Sequence, residues 1–252
     1  MIKAINVSKK FEDGHLVLNE VSANFESGKT NLIIGQSGSG KTVLLKSLIG
    51  LHPINSGDIY YDDICFSSLG IEEMKLVRQK IGMIFQGGAL FDSLTVEENV
   101  RFPLDVFTDM SFSEKMDKVH QCLNRVNLSA AAKLFPSEIS GGMVKRTSIA
   151  RAIVNNPRYL FCDEPNSGLD PKTSIIIDDL IKEITVENNI TTIINTHDMN
   201  SVMQIGDNVV FIHQGRKWWE GDRSSILYSD NKELNEFVFA SEMAKLAKIS
   251  MK

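Results

Sequence analysis

Cysteine is scarce in this chain: three residues in 252, Cys65, Cys122 and Cys162, with no CxxC pair among them. An odd count at wide spacing excludes a disulfide framework and a zinc ribbon, and reads as reduced thiols in a cytosolic protein. Long hydrophobic runs are missing too; none approaches the roughly 18 apolar residues of a membrane helix. The opening residues MIKAINVSKKFEDG lack the apolar core of a secretory signal. These absences predict a protein that is soluble by itself and needs a partner for any membrane role. Nor is there an excess of positive charge. With 27 Lys+Arg against 32 Asp+Glu the formal net charge is -5, which disfavours a broad grip on a nucleic-acid backbone. No internal repeat, low-complexity segment or Gly/Ser linker divides the chain.

What is present is ordinary globular composition, 42% hydrophobic and 23% charged. The length suits one large domain or two small ones, and without a linker it reads as one compact unit with a helical insertion. Strands are predicted over residues 1–7, 16–25, 31–34 and 59–61, with a turn at 55–58. A helix carrying Val43, Leu44, Leu45, Leu48 and Ile49 closes at Gly50, ahead of Pro53. Residues 71–158 read as mainly helical. There Met116, Val119, Leu123 and Val126 recur at helical spacing, and a helix starting near Gly141 ends at Asn156-Pro157. Residues 159–162, 190–194 and 209–212 have the apolar character of buried parallel strands. Strands alternating with helices predict an α/β fold with a mostly parallel sheet. Trp218 and Trp219, bracketed by Gly215 and Gly221, read as core or edge packing in a short strand or hairpin.

Gly35-Gln36-Ser37-Gly38-Ser39-Gly40-Lys41-Thr42 matches the pattern GxxxxGK[ST], after an apolar strand and before a helix. The glycines let backbone N–H groups turn inward toward phosphate oxygens, and the helix N-terminus adds the positive end of its dipole. In this pattern Lys41 reaches the β- and γ-phosphates and the Thr42 hydroxyl ligates Mg²⁺. Downstream, an apolar strand ends in two acids, Asp163 and Glu164. Asp163 is placed to hold Mg²⁺, and Glu164 to act as the general base on an attacking water. Neighbouring acids on a strand point to opposite faces; a strand end relaxes that rule and lets both approach one nucleotide.

Four further segments complete the pattern in order: Phe85-Gln86, Ser140-Gly141-Gly142-Met143-Val144-Lys145-Arg146, Ser167-Gly168-Leu169-Asp170 and Thr196-His197-Asp198. They resemble the Q-loop, signature, D-loop and switch histidine of the ATP-binding cassette (ABC) family of ATPases, over about residues 1–220. The resemblance implies a RecA-like P-loop NTPase core with an antiparallel β subdomain and an inserted α-helical subdomain. It implies a single domain over 1–252. Within it, about 1–85 and 158–221 form the nucleotide-binding core, 86–157 the helical subdomain and 222–252 a tail. The implied cofactors are ATP and Mg²⁺, contacted along the loop from Gly35, Gln36, Ser37, Gly38, Ser39, Gly40, Lys41 and Thr42 to Val43. Gln86 is implied to sense Mg²⁺ and the attacking water, and His197 to contact the γ-phosphate and position that water. Phe11 is implied to stack on adenine, although an aromatic in an early strand also suits a core. The resemblance further implies a head-to-tail dimer. Ser140, Gly141 and Gly142 of one copy would then face the nucleotide held by the other, with a second helix N-terminus aimed at the γ-phosphate. Asp170 is implied to organise that interface, and Asp170-Pro171 also suits a helix start.

One departure stands out: the fifth signature position, usually glutamine, is Met143, which cannot make the same hydrogen bonds. Ser140 and both glycines are intact, so hydrolysis is expected to survive. Met143, the run from Phe85 to Val96 and the following Glu98-Asn99-Val100 with Pro103-Leu104 look like the ATPases of the Mla-type lipid transporters, as does Thr42-Val43-Leu44-Leu45-Lys46. That branch implies two copies of the ATPase on a membrane permease, an Mce-domain protein, a small regulatory subunit and phospholipid cargo. It places the chain on the cytoplasmic face of the inner membrane. Leu90, Phe91, Leu94, Val96 and Phe102 lie where the family receives the permease, or are core of the helical subdomain. In the tail, Leu234, Phe237 and Val238 suggest a helix face, and Lys245, Lys248 and Lys252 give a basic end. That end suits a membrane surface, solvent, or contact with the second ATPase or a regulatory protein. The same engine with an amino acid, metal chelate or drug as cargo is the alternative. A cassette ATPase acting on DNA or ribosomes is the remote one, disfavoured by charge and by the lack of a second cassette.

Overall fold

The computed structural model describes residues 1–240. Alternating side chains make β1 (Ile2–Lys10), with Ile2, Ala4 and Val7 buried, and β2 (Leu16–Phe25) returns antiparallel to it. The apolar run β3 (Thr30–Ile34) is buried at every position and leads through a glycine-rich loop into α1 (Lys41–Leu48). Then come β4 (Ser56–Tyr61), the two-residue β5 (Ile64–Cys65), α2 (Ile71–Arg78) and β6 (Ile81–Ile84). The inserted helices are α3 (Val96–Phe107), α4 (Phe112–Arg125) and α5 (Gly141–Ile153). Thr95 and Ser111 close capping boxes with Glu98 and Glu114 at the first two, which fixes where each helix starts. The chain continues through β7 (Tyr159–Asp163), α6 (Pro171–Glu187), β8 (Thr191–Asn195), α7 (Met199–Ile205), β9 (Asn208–His213), β10 (Arg216–Gly221) and α8 (Lys232–Val238).

Two sheets result. The first has the order β2-β1-β4-β5 and is antiparallel; the second has the order β10-β9-β3-β8-β7-β6. In the second sheet only β10 runs antiparallel. Helix α1 packs between the sheets: Leu44, Leu45 and Leu48 share one apolar cluster with Val7, Leu18, Phe25 and Ile33. The other sheet face carries Leu160, Ile194 and Phe211 in a second cluster with residues of α3, α4, α5 and α6. This is the α/β architecture expected: a mostly parallel core, an antiparallel β layer and a helical insertion. Among the described residues no helix is long and apolar enough to cross a membrane.

Two local expectations are corrected. Ser56, Gly57 and Asp58 are strand, not turn. They pair with β1 across a register shift, where Asn6 and Gly57 both have positive φ, 49° and 86°. A Cβ on Gly57 would come within 2.5 Å of the Ile5 carbonyl oxygen, so the bulge requires glycine. The helical stretch 71–158 contains a strand, β6, four residues long and on the edge of the sheet beside β7. It is too short to interrupt a helical periodicity read over longer windows.

Candidate functional site

The carboxyl ends of the parallel strands converge, as open α/β sheets place their ligands. Strand β3 ends at Ile34, and the loop that follows bends through Gly35, Gly38 and Gly40, with φ of 149°, 78° and 106°. A Cβ on Gly35 would lie 2.2 Å from the Ile212 carbonyl oxygen of β9, so only glycine lets the loop pass that strand. Gly40 caps α1 without a side-chain bond, leaving the first turn's N–H groups to an outside acceptor. The Lys41 ammonium, nearly buried, donates to the carbonyls of Gly35 (2.8 Å) and Gln36 (3.0 Å). Burial lowers its pKa, and the nearby negative charges of Glu164 and Asp163 oppose that shift. Ser39 Oγ is buried without a partner. An unspent helix terminus, an unpaired hydroxyl and a cation held beside its own loop fit a phosphate chain.

Strand β7 delivers the two acids. Asp163 ends the strand, and its Oδ1 accepts from the Thr42 hydroxyl at 3.4 Å and from the Asn195 amide at 2.6 Å. The same amide donates to Thr42 Oγ1 at 2.9 Å. At Glu164 the backbone turns left-handed, with φ 51°, and its N–H bonds to the Asn195 carbonyl at 2.9 Å. That turn breaks the strand alternation, so Asp163 meets Thr42 while Glu164 lines the neighbouring cavity. A hydroxyl and a carboxylate side by side at a phosphate loop are the oxygen donors that Mg²⁺ takes, alongside phosphate and water. No group of three or more His, Cys, Asp or Glu suited to a metal occurs among the described residues. The hydroxyl and carboxylate beside the phosphate loop fit a metal that arrives with its phosphates.

Strand β8 ends at Asn195, and His197 follows, exposed, with Nδ1 2.8 Å from Glu164 Oε1. Gln86, just past β6, donates from Nε2 to Ser167 Oγ at 3.2 Å. One cavity of about 1290 Å³ joins Ser37, Lys41, Thr42, Gln86, Glu164 and His197 on its polar side. Its other side is apolar, with Val17, Met199, Met203 and Leu227, and it includes Phe237 and Val238 at the end of α8. The tail helix expected from Leu234, Phe237 and Val238 is therefore present and reaches the same cavity. Lys245, Lys248 and Lys252 lie outside the described residues.

Several expected site residues stand elsewhere. Ser140 caps α5, accepting from the Met143 N–H at 3.3 Å, and neither it nor Gly141 nor Gly142 lines the cavity. Gly142 packs so closely on α6 that a Cβ would lie 2.9 Å from Thr173 Cγ2. Met143 turns toward the helical core. Asp170 caps α6, accepting from the N–H groups of Lys172 and Thr173 at 3.0 and 3.1 Å, so the helix-start role is realised. Phe11 also lies off the cavity. Its ring meets His52 edge-on at 5.6 Å and carries the Lys9 ammonium 5.2 Å from its centroid. Val96 is core, whereas Phe91 and Phe102 are exposed and pair at 4.7 Å.

Sequence reading missed three contributors. Asn195, an ordinary strand end in the sequence, bridges Thr42 and Asp163. From α5, buried Lys145 donates to the Gln86 carbonyl, and Arg151 spans the carbonyls of Gly88 and Ala89 at 2.7 Å each. The signature helix thereby holds the backbone of the Q-loop.

The family model described as ABC transporter matches residues 18–167. A methionine import ATP-binding protein, MetN of Haemophilus influenzae, is 39% identical over 94% of this chain and 70% of its own length. The probable ribonucleotide transport ATP-binding protein mkl of Mycobacterium leprae is 35% identical over 94% of this chain and 68% of its own length. Among solved structures, an ATP-binding cassette captured as a dimer in a post-hydrolysis state with ADP and Pi superposes with TM-score 0.81 at 33% identity, covering 88% of this chain and 99% of that one. The cbiO1 protein of Clostridium perfringens, part of the ABC transporter complex cbiONQ, superposes with TM-score 0.85 at 28% identity over 98% of both chains. The chain therefore belongs to the ABC transporter family, as an ATP-binding subunit that takes ATP with Mg²⁺ and hydrolyses it.

Proposed function

We propose that this ATPase powers a lipid transporter, moving phospholipid across or between bacterial envelope membranes through a partner permease. The observation that carries the cargo is Met143 in the signature, joined to the run from Phe85 to Leu104, which together resemble the Mla-type ATPases. The inward packing of Met143 supports retained hydrolysis, because Ser140, Gly141 and Gly142 keep the helix N-terminus free of it.

In the proposed cycle two copies meet head to tail. The loop from Gly35 to Val43 in one copy holds the triphosphate, and Ser140, Gly141 and Gly142 of the other close over it, flanked by Asp170. Lys41 leaves its own loop carbonyls for the β- and γ-phosphates, exchanging neutral acceptors for anionic ones. Thr42 and Asp163 hold Mg²⁺, and Gln86 reports its presence to the helical subdomain, which we take as residues 86–157. Bound Mg²⁺ supplies neutralisation of the charge developing on the phosphate oxygens. Glu164 takes the proton of the attacking water, and His197, hydrogen-bonded to that carboxylate, fixes its orientation toward the γ-phosphate. Phe11 stacks on adenine once Lys9 yields its face. The exposed Phe91 and Phe102 pair suits a helix of the permease. We further propose that the ATPase works on the cytoplasmic face of the inner membrane, with an Mce-domain protein and a small regulatory subunit as further partners.

The likeness to a methionine import protein favours a second reading, amino-acid import by the same engine. Tagging the protein in its host, solubilising the membranes gently and identifying what co-purifies separates the two. A small multi-span permease with an Mce-domain protein and bound phospholipid is the expected result. A permease accompanied by an amino-acid-binding protein discards the lipid cargo.

A further inference from the structure

We infer that Asn195 is a positioning residue for the Mg²⁺ of the Mg²⁺–ATP complex, holding the two metal-facing oxygens in the orientation that leaves them free to bind it. The residue is completely buried at the end of β8, in register with Asp163 of β7 and Ile33 of β3. Its side-chain amide nitrogen makes two bonds, 2.9 Å to the Thr42 hydroxyl oxygen and 2.6 Å to Asp163 Oδ1, and its backbone carbonyl takes the Glu164 N–H at 2.9 Å. It therefore touches the metal hydroxyl, the metal carboxylate and the backbone of the base.

The arithmetic of hydrogen bonding gives those contacts a consequence. A hydroxyl has one proton and two lone pairs. The Thr42 proton goes to Asp163 Oδ1 at 3.4 Å, and one lone pair takes the Asn195 amide. One lone pair is left, and the proton is turned away from it, as a cation ligand requires. On Asp163 both bonds fall on Oδ1, and Oδ2 has no hydrogen-bond partner among the described residues. The amide thus pins the carboxylate so that the other oxygen faces outward. A neutral donor performs this without adding positive charge that would repel Mg²⁺, whereas a lysine would compete with the ion. A valine would leave hydroxyl and carboxylate to bond only each other.

The inference rests on the proposed metal roles of Thr42 and Asp163. Its test is Asn195→Val, similar in size and suited to a buried strand, in the full-length protein. Two readouts are needed: Mn²⁺ affinity by electron paramagnetic resonance with the non-hydrolysable analogue AMP-PNP, and trinitrophenyl-ATP affinity in EDTA. The expected result is an Mn²⁺ affinity lowered about tenfold, with metal-free nucleotide affinity within about twofold of the parent, as for loss of a residue that orients metal ligands. Unchanged Mn²⁺ affinity overturns the inference. So does a parallel loss of metal-free binding, which marks collapse of the phosphate loop. Should the valine variant not fold by circular dichroism, Asn195→Ala removes the same donors with less steric demand, and the same two outcomes decide. A parent that binds no Mn²⁺ with the analogue defeats the metal assignment itself, separately from the part given to Asn195.

Discussion

Glu164 sits where a non-glycine residue is under strain: φ 51°, a conformation that costs on the order of 1–3 kcal/mol at functional sites. The Asn195 carbonyl and the Ser167 N–H hold that turn from both sides, at 2.9 and 3.2 Å. The strain aims a carboxylate out of the strand plane and onto His197. Glu164→Gln keeps the shape and removes the proposed base. It should leave ATP affinity near the parent value and lower turnover by about 10²–10⁴-fold, with ATP-bound dimer accumulating on a sizing column. Turnover at the parent rate, measured as phosphate release, removes Glu164 from the base role.

Elements are joined by charges that no linear pattern announces. Arg151 ties α5 to the loop after β6 through two carbonyls, and burial lowers its pKa. Arg151→Met keeps most of the volume but strands both acceptors, so urea unfolding should show about 2–4 kcal/mol less stability. A change below about 0.5 kcal/mol, the usual range for surface substitutions, would show that the clamp adds nothing net. Between the D-loop, α6 and α7, Asp178 is buried with Asn166 donating to it at 2.8 Å and Ser201 close by. Burial raises its pKa from 3.8 to about 6; the hydrogen bonds from Ser201 and Asn166 oppose the shift and the charges of Asp198 and Asp179 reinforce it. Between those values the folded chain keeps a proton that the unfolded chain has lost. Its contribution to stability is thus present below about pH 4 and is lost as pH rises through about 6. Asp178→Asn should remove that slope and gain up to about 3 kcal/mol over the parent at pH 8. Chemical denaturation at several pH values, parent against variant, reads it directly. A difference between the two that is flat with pH rejects the account.

At the scale of the whole molecule the separation of Ser140, Gly141 and Gly142 from the cavity is the telling feature. Within one chain they do not line the cavity that holds Lys41, which is why the proposal needs a second copy. Mixing a Lys41→Ala protein with a Ser140→Arg protein tests it. Each is expected to be inactive alone, and a head-to-tail heterodimer retains one intact site of two, so random pairing should restore about a quarter of parent ATPase. No recovery, in a mixture shown to form heterodimers, rejects the shared site.

The phosphate loop, Asp163, Glu164, Gln86 and His197 were legible because each is a contiguous run whose chemistry is set by its neighbours in the chain. The alternation of strands and helices was legible for the same reason, since periodicity is local. The bulge in β4, the edge strand β6, the approach of α8 to the cavity, the clamp from α5 and the bridge by Asn195 were not. Each depends on register or packing between segments distant in sequence. Asparagine after two isoleucines looks like any strand end until β7 lies beside β8 and sets Asp163 opposite it. By itself the sequence singled out the groups proposed for phosphate, metal and base chemistry. The tertiary structure decided which lone pairs and protons remain free to perform it, because hydrogen bonds are allotted only when the strands meet.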